Sequence, residues 1–178
     1  MALADDLGRI AVAAATHGEV TGVLAAEPAR GQRCYLVALG SEDERRWLLL
    51  DDDAQPVTRR QDVRDAASIV AICELAGELA SGGDLEGLRQ QLAQVRMVEQ
   101  PPGIELVEEA ALALERVIGA PPRIASPGYL DEIDAATTTL ERMLGETSSP
   151  FSAAIRSATG AVEEFVADVE RSYLLELP

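Results

Sequence analysis

The spacing of apolar positions changes along this chain, and each change predicts a different kind of element. Near the start, apolar residues recur every three or four positions, which predicts an amphipathic helix over residues 3–16. Gly18 follows as a C-terminal stop signal. The next stretches are short, strand-like and separated by turn-forming residues, which predicts strands over 19–27, 33–39 and 45–51.

The links between the three predicted strands are short, PARGQ and GSEDE. Strands joined in this way pair antiparallel with their sequence neighbours. We therefore predict an antiparallel meander with the strand 33–39 between the other two. The central strand, RCYLVAL, has almost no polar alternation. Both faces of the sheet are therefore expected to be covered.

Helical spacing returns after the third strand, and no further strand is predicted. A wide apolar face predicts a helix over 59–80. Four more helices are predicted over 85–98, 103–118, 127–144 and 150–174. A serine followed by a proline marks the start of each of the last two.

The switch from strand to helix spacing predicts an α+β fold in two parts. A helix, a three-stranded antiparallel meander and a second helix form an N-terminal subdomain over 1–83. An all-helical C-terminal module of about four helices follows over 84–178. The chain is long enough to bury one real core, so the two subdomains are expected to pack as one compact unit.

Charge and composition exclude several functions. The chain has 31 acidic residues against 15 basic ones, for a net charge of −16. Because nucleic acids and anionic membranes are bound by clustered basic residues, neither is expected as a partner. A protein with a basic surface fits the charge better. The chain contains no lysine, which excludes Schiff-base chemistry and a lysine phosphate clamp.

The expected location is the cytoplasm. The N-terminus lacks the basic region of a secretory signal, and no apolar run is long enough to span a membrane. Cys34 and Cys73 lie in apolar surroundings without metal-site spacing, as buried thiols of a cytoplasmic protein would. The absence of both lysine and asparagine, whose codons are A-rich, suggests a bacterium with a GC-rich genome.

Three aspartates, Asp51 to Asp53, follow the third predicted strand. Their arrangement resembles the first motif of haloacid-dehalogenase-type phosphatases, in which one aspartate attacks phosphorus. Those enzymes also need a parallel sheet and a basic residue, usually lysine, on the phosphate, and this chain lacks lysine. A calcium loop is excluded because Pro56 stands where glycine is required. We therefore predict an acidic turn.

Two acidic pairs form the best candidate metal site. Glu105 with Glu108 and Asp131 with Asp134 each share one face of a predicted helix, and four carboxylates suit magnesium or manganese. The spacing resembles the ExxE…ExxD pattern of all-α nucleoside triphosphate pyrophosphatases, with Asp131 in place of a glutamate. In so acidic a chain such pairs also arise by chance on solvated helix faces. This hydrolase is the alternative function.

The chain end is unusually apolar. Tyr173, Leu174, Leu175 and Leu177 lie within the final residues, where chains are normally polar and frayed. Either these residues form an interface, most simply of a homodimer, or they fold back on their own chain.

The preferred function is a non-enzymatic protein-binding or scaffolding homo-oligomer. No specific catalytic, cofactor or metal motif occurs, so no catalytic, cofactor-binding or metal residue is assigned. In outline, an acidic helix–meander–helix module is similar to small secretion-chaperone folds, which suggests a chaperone-like activity.

Overall fold

The computed structural model describes residues 2–81, 109, 112–113, 115–117, 119–144 and 150–178. Their main elements, in chain order, are a helix, three strands, a helix, a short strand and two helices. Their bounds are α1 Leu3–Ala14, β1 Val20–Ala29, β2 Gln32–Leu39, β3 Arg46–Asp51, α2 Arg60–Ser81, β4 Ile124–Ala125, α3 Pro127–Leu144 and α4 Pro150–Arg171.

The predicted meander is confirmed. The sheet has the order β3-β2-β1-β4, and β2 pairs antiparallel with both β1 and β3. The hairpin between β1 and β2 turns at Arg30-Gly31, where Gly31 has φ 78°. This left-handed conformation is easy only for glycine.

A fourth strand was not predicted. Strand β4 has only two residues, Ile124 and Ala125, and pairs parallel with Ala25 and Ala26 of β1. Two residues show no periodicity, and the pairing is set by the tertiary fold rather than by local sequence. The expectation of no strand after the meander was wrong at this point.

Both faces of the sheet are covered, as the central strand predicted. Every residue from Cys34 to Leu39 is buried. On one face the hydroxyl of Tyr35 reaches Asp52, which pairs in turn with Arg9 of α1. On the other face Trp47 contacts Phe165 of α4.

The helices follow the predicted spacing with one instructive difference at the end. Helices α1, α2 and α3 begin and end within two residues of the predicted positions. Helix α4 ends at Arg171, whereas the prediction continued it to residue 174. It stops because the backbone of Ser172 and Leu174 pairs with β3 instead.

The predicted four-helix module is only partly described. The helix predicted over 85–98 lies outside the described residues. The described residues within 103–118 are helical. The structure therefore supports a mixed α+β fold, and the count of four helices stays a prediction.

By contacts, the chain forms two compact units. Unit 1 combines Met1–Ala71, Pro122–Pro127 and Val162–Pro178, and unit 2 combines Ile72–Pro121 and Gly128–Ala161. Each unit is thus assembled from segments that are separate in sequence. The division into subdomains 1–83 and 84–178 stays a prediction.

Candidate functional site

The residues predicted as an interface belong to a segment that extends the sheet. This C-terminal segment, residues 172–178, follows α4 directly. The backbone N–H of Trp47 donates to Ser172 O at 2.8 Å, and the N–H of Leu174 donates to Trp47 O at 2.8 Å. Tyr173 thereby forms a parallel bridge with Trp47. The segment therefore lies along the outer edge of β3.

Tyr173 anchors the segment inside the molecule. Its side chain is 5 % exposed. The hydroxyl accepts a hydrogen bond from the N–H of Leu49 at 2.9 Å and donates to Val57 O at 2.5 Å. Burial raises the pKa of Tyr173 to about 12. The phenol is thus a neutral, fully bonded part of the core.

Together these contacts close the outer edge of β3. In an antiparallel pair, alternate residues direct their backbone groups away from the neighbouring strand. On β3 these residues are Trp47, Leu49 and Asp51. Leu49 O accepts from the N–H of Val57 at 2.8 Å, and the N–H of Asp51 donates to Gln55 O at 2.9 Å. With Trp47 bonded to the C-terminal segment, each outward position has a partner.

Arginines bind the backbone carbonyls of the C-terminal segment. Arg46 donates to Ser172 O at 3.3 Å and to Tyr173 O at 3.2 Å. Arg60 donates to Leu177 O at 3.1 Å. Ser172 O also accepts from the N–H of Trp47, so Arg46 adds a second bond there. Together these bonds fix the position of the segment along most of its length.

The end of α4 is tied to the start of α2 by a shared carboxylate. Glu170 accepts from Arg60 at 3.3 Å and from Arg64 at 2.7 Å, and its side chain is 15 % exposed. A carboxylate between two guanidinium groups is stabilised more than an isolated surface pair.

The four predicted interface residues are placed in two different ways. Tyr173 lies in the core of its own chain, which was the second of the two outcomes expected from the sequence. Leu174, Leu175 and Leu177 are only partly buried. Their backbone is held by the contacts above, and we call these three partly exposed leucines the leucine strip.

Trp47 lies directly beside the C-terminal segment and is the only tryptophan of the chain. Its ring contacts Phe165 edge to face, with centroids 5.4 Å apart, and Arg45 lies 5.8 Å from its centroid. Its indole Nε1 is buried without a hydrogen-bond partner. Tryptophan fluorescence should therefore report whether the C-terminal segment is paired with β3.

The aspartate run forms a turn, as predicted. The carboxylate of Asp51 accepts from the N–H of Asp53 at 3.0 Å and from the N–H of Gln55 at 2.8 Å. Ala54 completes the turn with φ 60°. Because Asp51 is used by its own turn, the run is a connector.

A second polar cluster attaches α1 to the sheet. Asp6 is 7 % exposed and lies 3.7 Å from both Arg9 and Arg33. Arg9 also pairs with Asp52, which accepts from the hydroxyl of Tyr35 at 3.1 Å. Burial, followed by the bond to Asp52, raises the pKa of Tyr35. The cluster balances two carboxylates with two guanidinium groups, as in a structural network.

The predicted metal site is mostly outside the described residues. Glu105, Glu108 and the side chain of Asp134 lie outside them, while Asp131 is exposed. Within the described part of the chain, no group of three or more potential metal ligands is found.

The two cysteines differ in burial. Cys34 is a buried thiol, and burial, followed by the nearby carboxylate of Asp62, raises its pKa to about 12. A thiol with so high a pKa is a poor nucleophile at neutral pH. Cys73 is only partly buried.

Comparisons with models of known protein families, with characterised proteins and with solved structures find no match for this chain. Among the described helices, none is both long and apolar enough to cross a membrane.

Proposed function

We propose that this chain is a non-enzymatic protein-binding or scaffolding protein, chaperone-like in character, which self-associates through its C-terminal end. The observation that supports this proposal is the leucine strip. The three leucines are partly exposed, yet hydrogen bonds from Trp47, Arg46 and Arg60 fix the backbone on which they stand. An apolar surface on an ordered frame is suited to an interface, because little conformational freedom is lost on binding.

A homodimer is the proposed assembly. We also propose that the protein is cytoplasmic, as expected from the sequence. The net charge of −16 favours an additional partner with a basic surface.

The test is the oligomeric state of a variant that alters only the strip. In this variant Leu174, Leu175 and Leu177 are changed to alanine, which leaves Tyr173 and the backbone contacts in place. We expect light scattering to give a dimer for the unchanged chain, twice 18.9 kDa, and a monomer for the variant. Deleting the whole segment would be a weaker test, because it would also uncover the edge of β3.

The matched control changes exposed apolar residues elsewhere. Val12 on α1 is 75 % exposed and Leu112 is 50 % exposed, so the control variant carries alanine at both. The control should remain dimeric. An unchanged chain that is monomeric at every concentration, or a strip variant that stays dimeric, would refute the proposal.

A further inference from the structure

Unit 1 includes a segment that is distant in sequence from its other residues. This closing segment, Val162–Pro178, comprises the second half of α4 and the C-terminal segment. The residues that precede it, Gly128–Ala161, belong to unit 2. The closing segment is therefore joined to the rest of unit 1 only through residues of the other unit.

The contacts of the closing segment are concentrated on one short region of unit 1. Phe165 packs on Trp47, Tyr173 bonds to Leu49 and Val57, and Glu170 binds the first turns of α2. A second copy of the chain presents the same segment with the same chemistry. The receiving surface therefore fits a second copy as well as it fits its own chain end.

Helix α4 contains a helix-destabilising residue just before the closing segment begins. Gly160 lies inside α4, two residues before Val162, and is exposed. A Cβ added there would meet nothing within 4 Å, so no close packing requires a glycine. Glycine in a helix interior is about fivefold less favourable than alanine. A glycine without a packing role at the junction of two units is suited to act as a hinge.

We propose that the self-associated form is a reciprocal exchange, in which the closing segment of each copy covers the β3 edge of the other. The hinge of this exchange is Gly160. The inference rests on the proposed self-association and names the surface that each copy offers, namely the outer edge of β3 and the start of α2. Exchange of an identical element reproduces the contacts of the closing segment in the dimer. The leucine strips carried by the two exchanged segments add the contact between copies that the strip variant removes.

The exchange is tested by disulfide trapping between two different chains. Arg46 and Ser172 lie next to the bridged pair Trp47 and Tyr173, and Arg46 Nε lies 3.3 Å from Ser172 O. One chain carries Arg46→Cys and the other carries Ser172→Cys, both with Cys73→Ala. The two full-length proteins are mixed, unfolded together in urea, refolded and mildly oxidised. A covalent heterodimer can form at this place only when one copy's segment lies on the other copy's edge.

The control replaces Arg46→Cys with Val12→Cys, an exposed position on α1. We expect several-fold more heterodimer from the Arg46 pair than from this control. If light scattering shows a dimer and the two mixtures give equal amounts of heterodimer, the exchange is wrong while self-association stands. If every protein is monomeric, both proposals fail.

The hinge is tested by a pair of matched substitutions. Gly160→Ala favours the straight helix and should raise the dimer dissociation constant at least about fivefold. Gly8→Ala in α1 makes the same change in a helix where a Cβ also meets nothing within 4 Å. The Gly8 variant should leave the dissociation constant unchanged. Equal effects of the two substitutions would overturn the assignment of Gly160 as the hinge.

Discussion

The two edges of the sheet are closed by different means. At the β3 edge, Tyr173 and its neighbours cover the strand, and the bonded residues Leu49 and Tyr173 are separated by 124 positions in sequence. At the opposite edge, β4 pairs only two residues with β1, at Ala25 and Ala26. One edge is sealed by a buried phenol and by backbone pairing, and the other carries a short parallel strand.

The difference shows where stability depends on single residues. An uncovered strand edge presents unpaired N–H and C=O groups, which cost free energy when buried and invite pairing with other chains. At the β3 edge, the hydroxyl of Tyr173 bonds to one group of each kind. It accepts from the N–H of Leu49 and donates to the C=O of Val57. A substitution at Tyr173 should therefore lower the free energy of unfolding more than a substitution in β4.

The largest effect is expected for Tyr173→Ala. Loss of a buried aromatic ring costs about 3–5 kcal/mol of unfolding free energy. Urea denaturation followed by the fluorescence of Trp47 measures it directly, because Trp47 lies beside the segment. Val12→Ala is the control and should cost much less, since Val12 is 75 % exposed and lies outside the proposed interface. Equal losses in the two variants would contradict the anchoring role of Tyr173.

A smaller loss is expected for Tyr173→Phe. This change keeps the ring and removes only the hydroxyl, which leaves Leu49 N–H unsatisfied at a cost of about 1–3 kcal/mol. Tyr35→Phe is the matched control. Its hydroxyl bonds to the exposed carboxylate of Asp52, which water can solvate after the change. If the Tyr35 variant lost as much stability as the Tyr173 variant, the cost could not be assigned to the unsatisfied N–H of Leu49.

The pKa of Tyr173 predicts a loss of stability in alkali. The pKa is raised from 10.0 to about 12 in the folded chain, so the unfolded chain loses its proton first as pH rises. The contribution of the neutral Tyr173 phenol to the free energy of unfolding is fully present below about pH 10. It is lost as pH rises towards 12. We expect the melting temperature of the unchanged chain to fall more steeply over this range than that of Tyr173→Phe. Parallel curves would show that another group controls the alkaline transition.

The smallest effect is expected at the other edge. Ile124 in β4 is partly buried, so Ile124→Ala should cost about 1 kcal/mol or less of unfolding free energy. The same urea denaturation measures it. A loss as large as that of Tyr173→Ala would remove the contrast between the edges.

The elements that the sequence predicted correctly are those with a local signal. The meander has β-type residues bounded by turns such as that at Gly31, and α2 has a long amphipathic face. The elements that were missed depend on distant pairing. Neither Ile124 nor Ser172 carries a local signal for the strand it contacts, because pairings of one or two residues show no periodicity and are set by the tertiary context.

The candidate site could be predicted only in part, for a related reason. The apolar character of residues 173–177 indicated this segment as the candidate interface, which stays a prediction. Composition could not distinguish Tyr173, whose hydroxyl meets two backbone groups, from the leucines beside it. The signal that separates them is the tyrosine hydroxyl itself, since a buried phenol needs a hydrogen-bond partner.

The closure of β3 by a late segment has a consequence for synthesis on the ribosome. Leu49 is translated 124 residues before Tyr173. At about 5–20 residues per second, the strand exists for on the order of ten seconds before its cover is made. During that time the nascent chain carries the apolar run Trp47 to Leu50 with an open edge. Closure of this edge by the same chain therefore cannot precede translation of α4 and the residues that follow it.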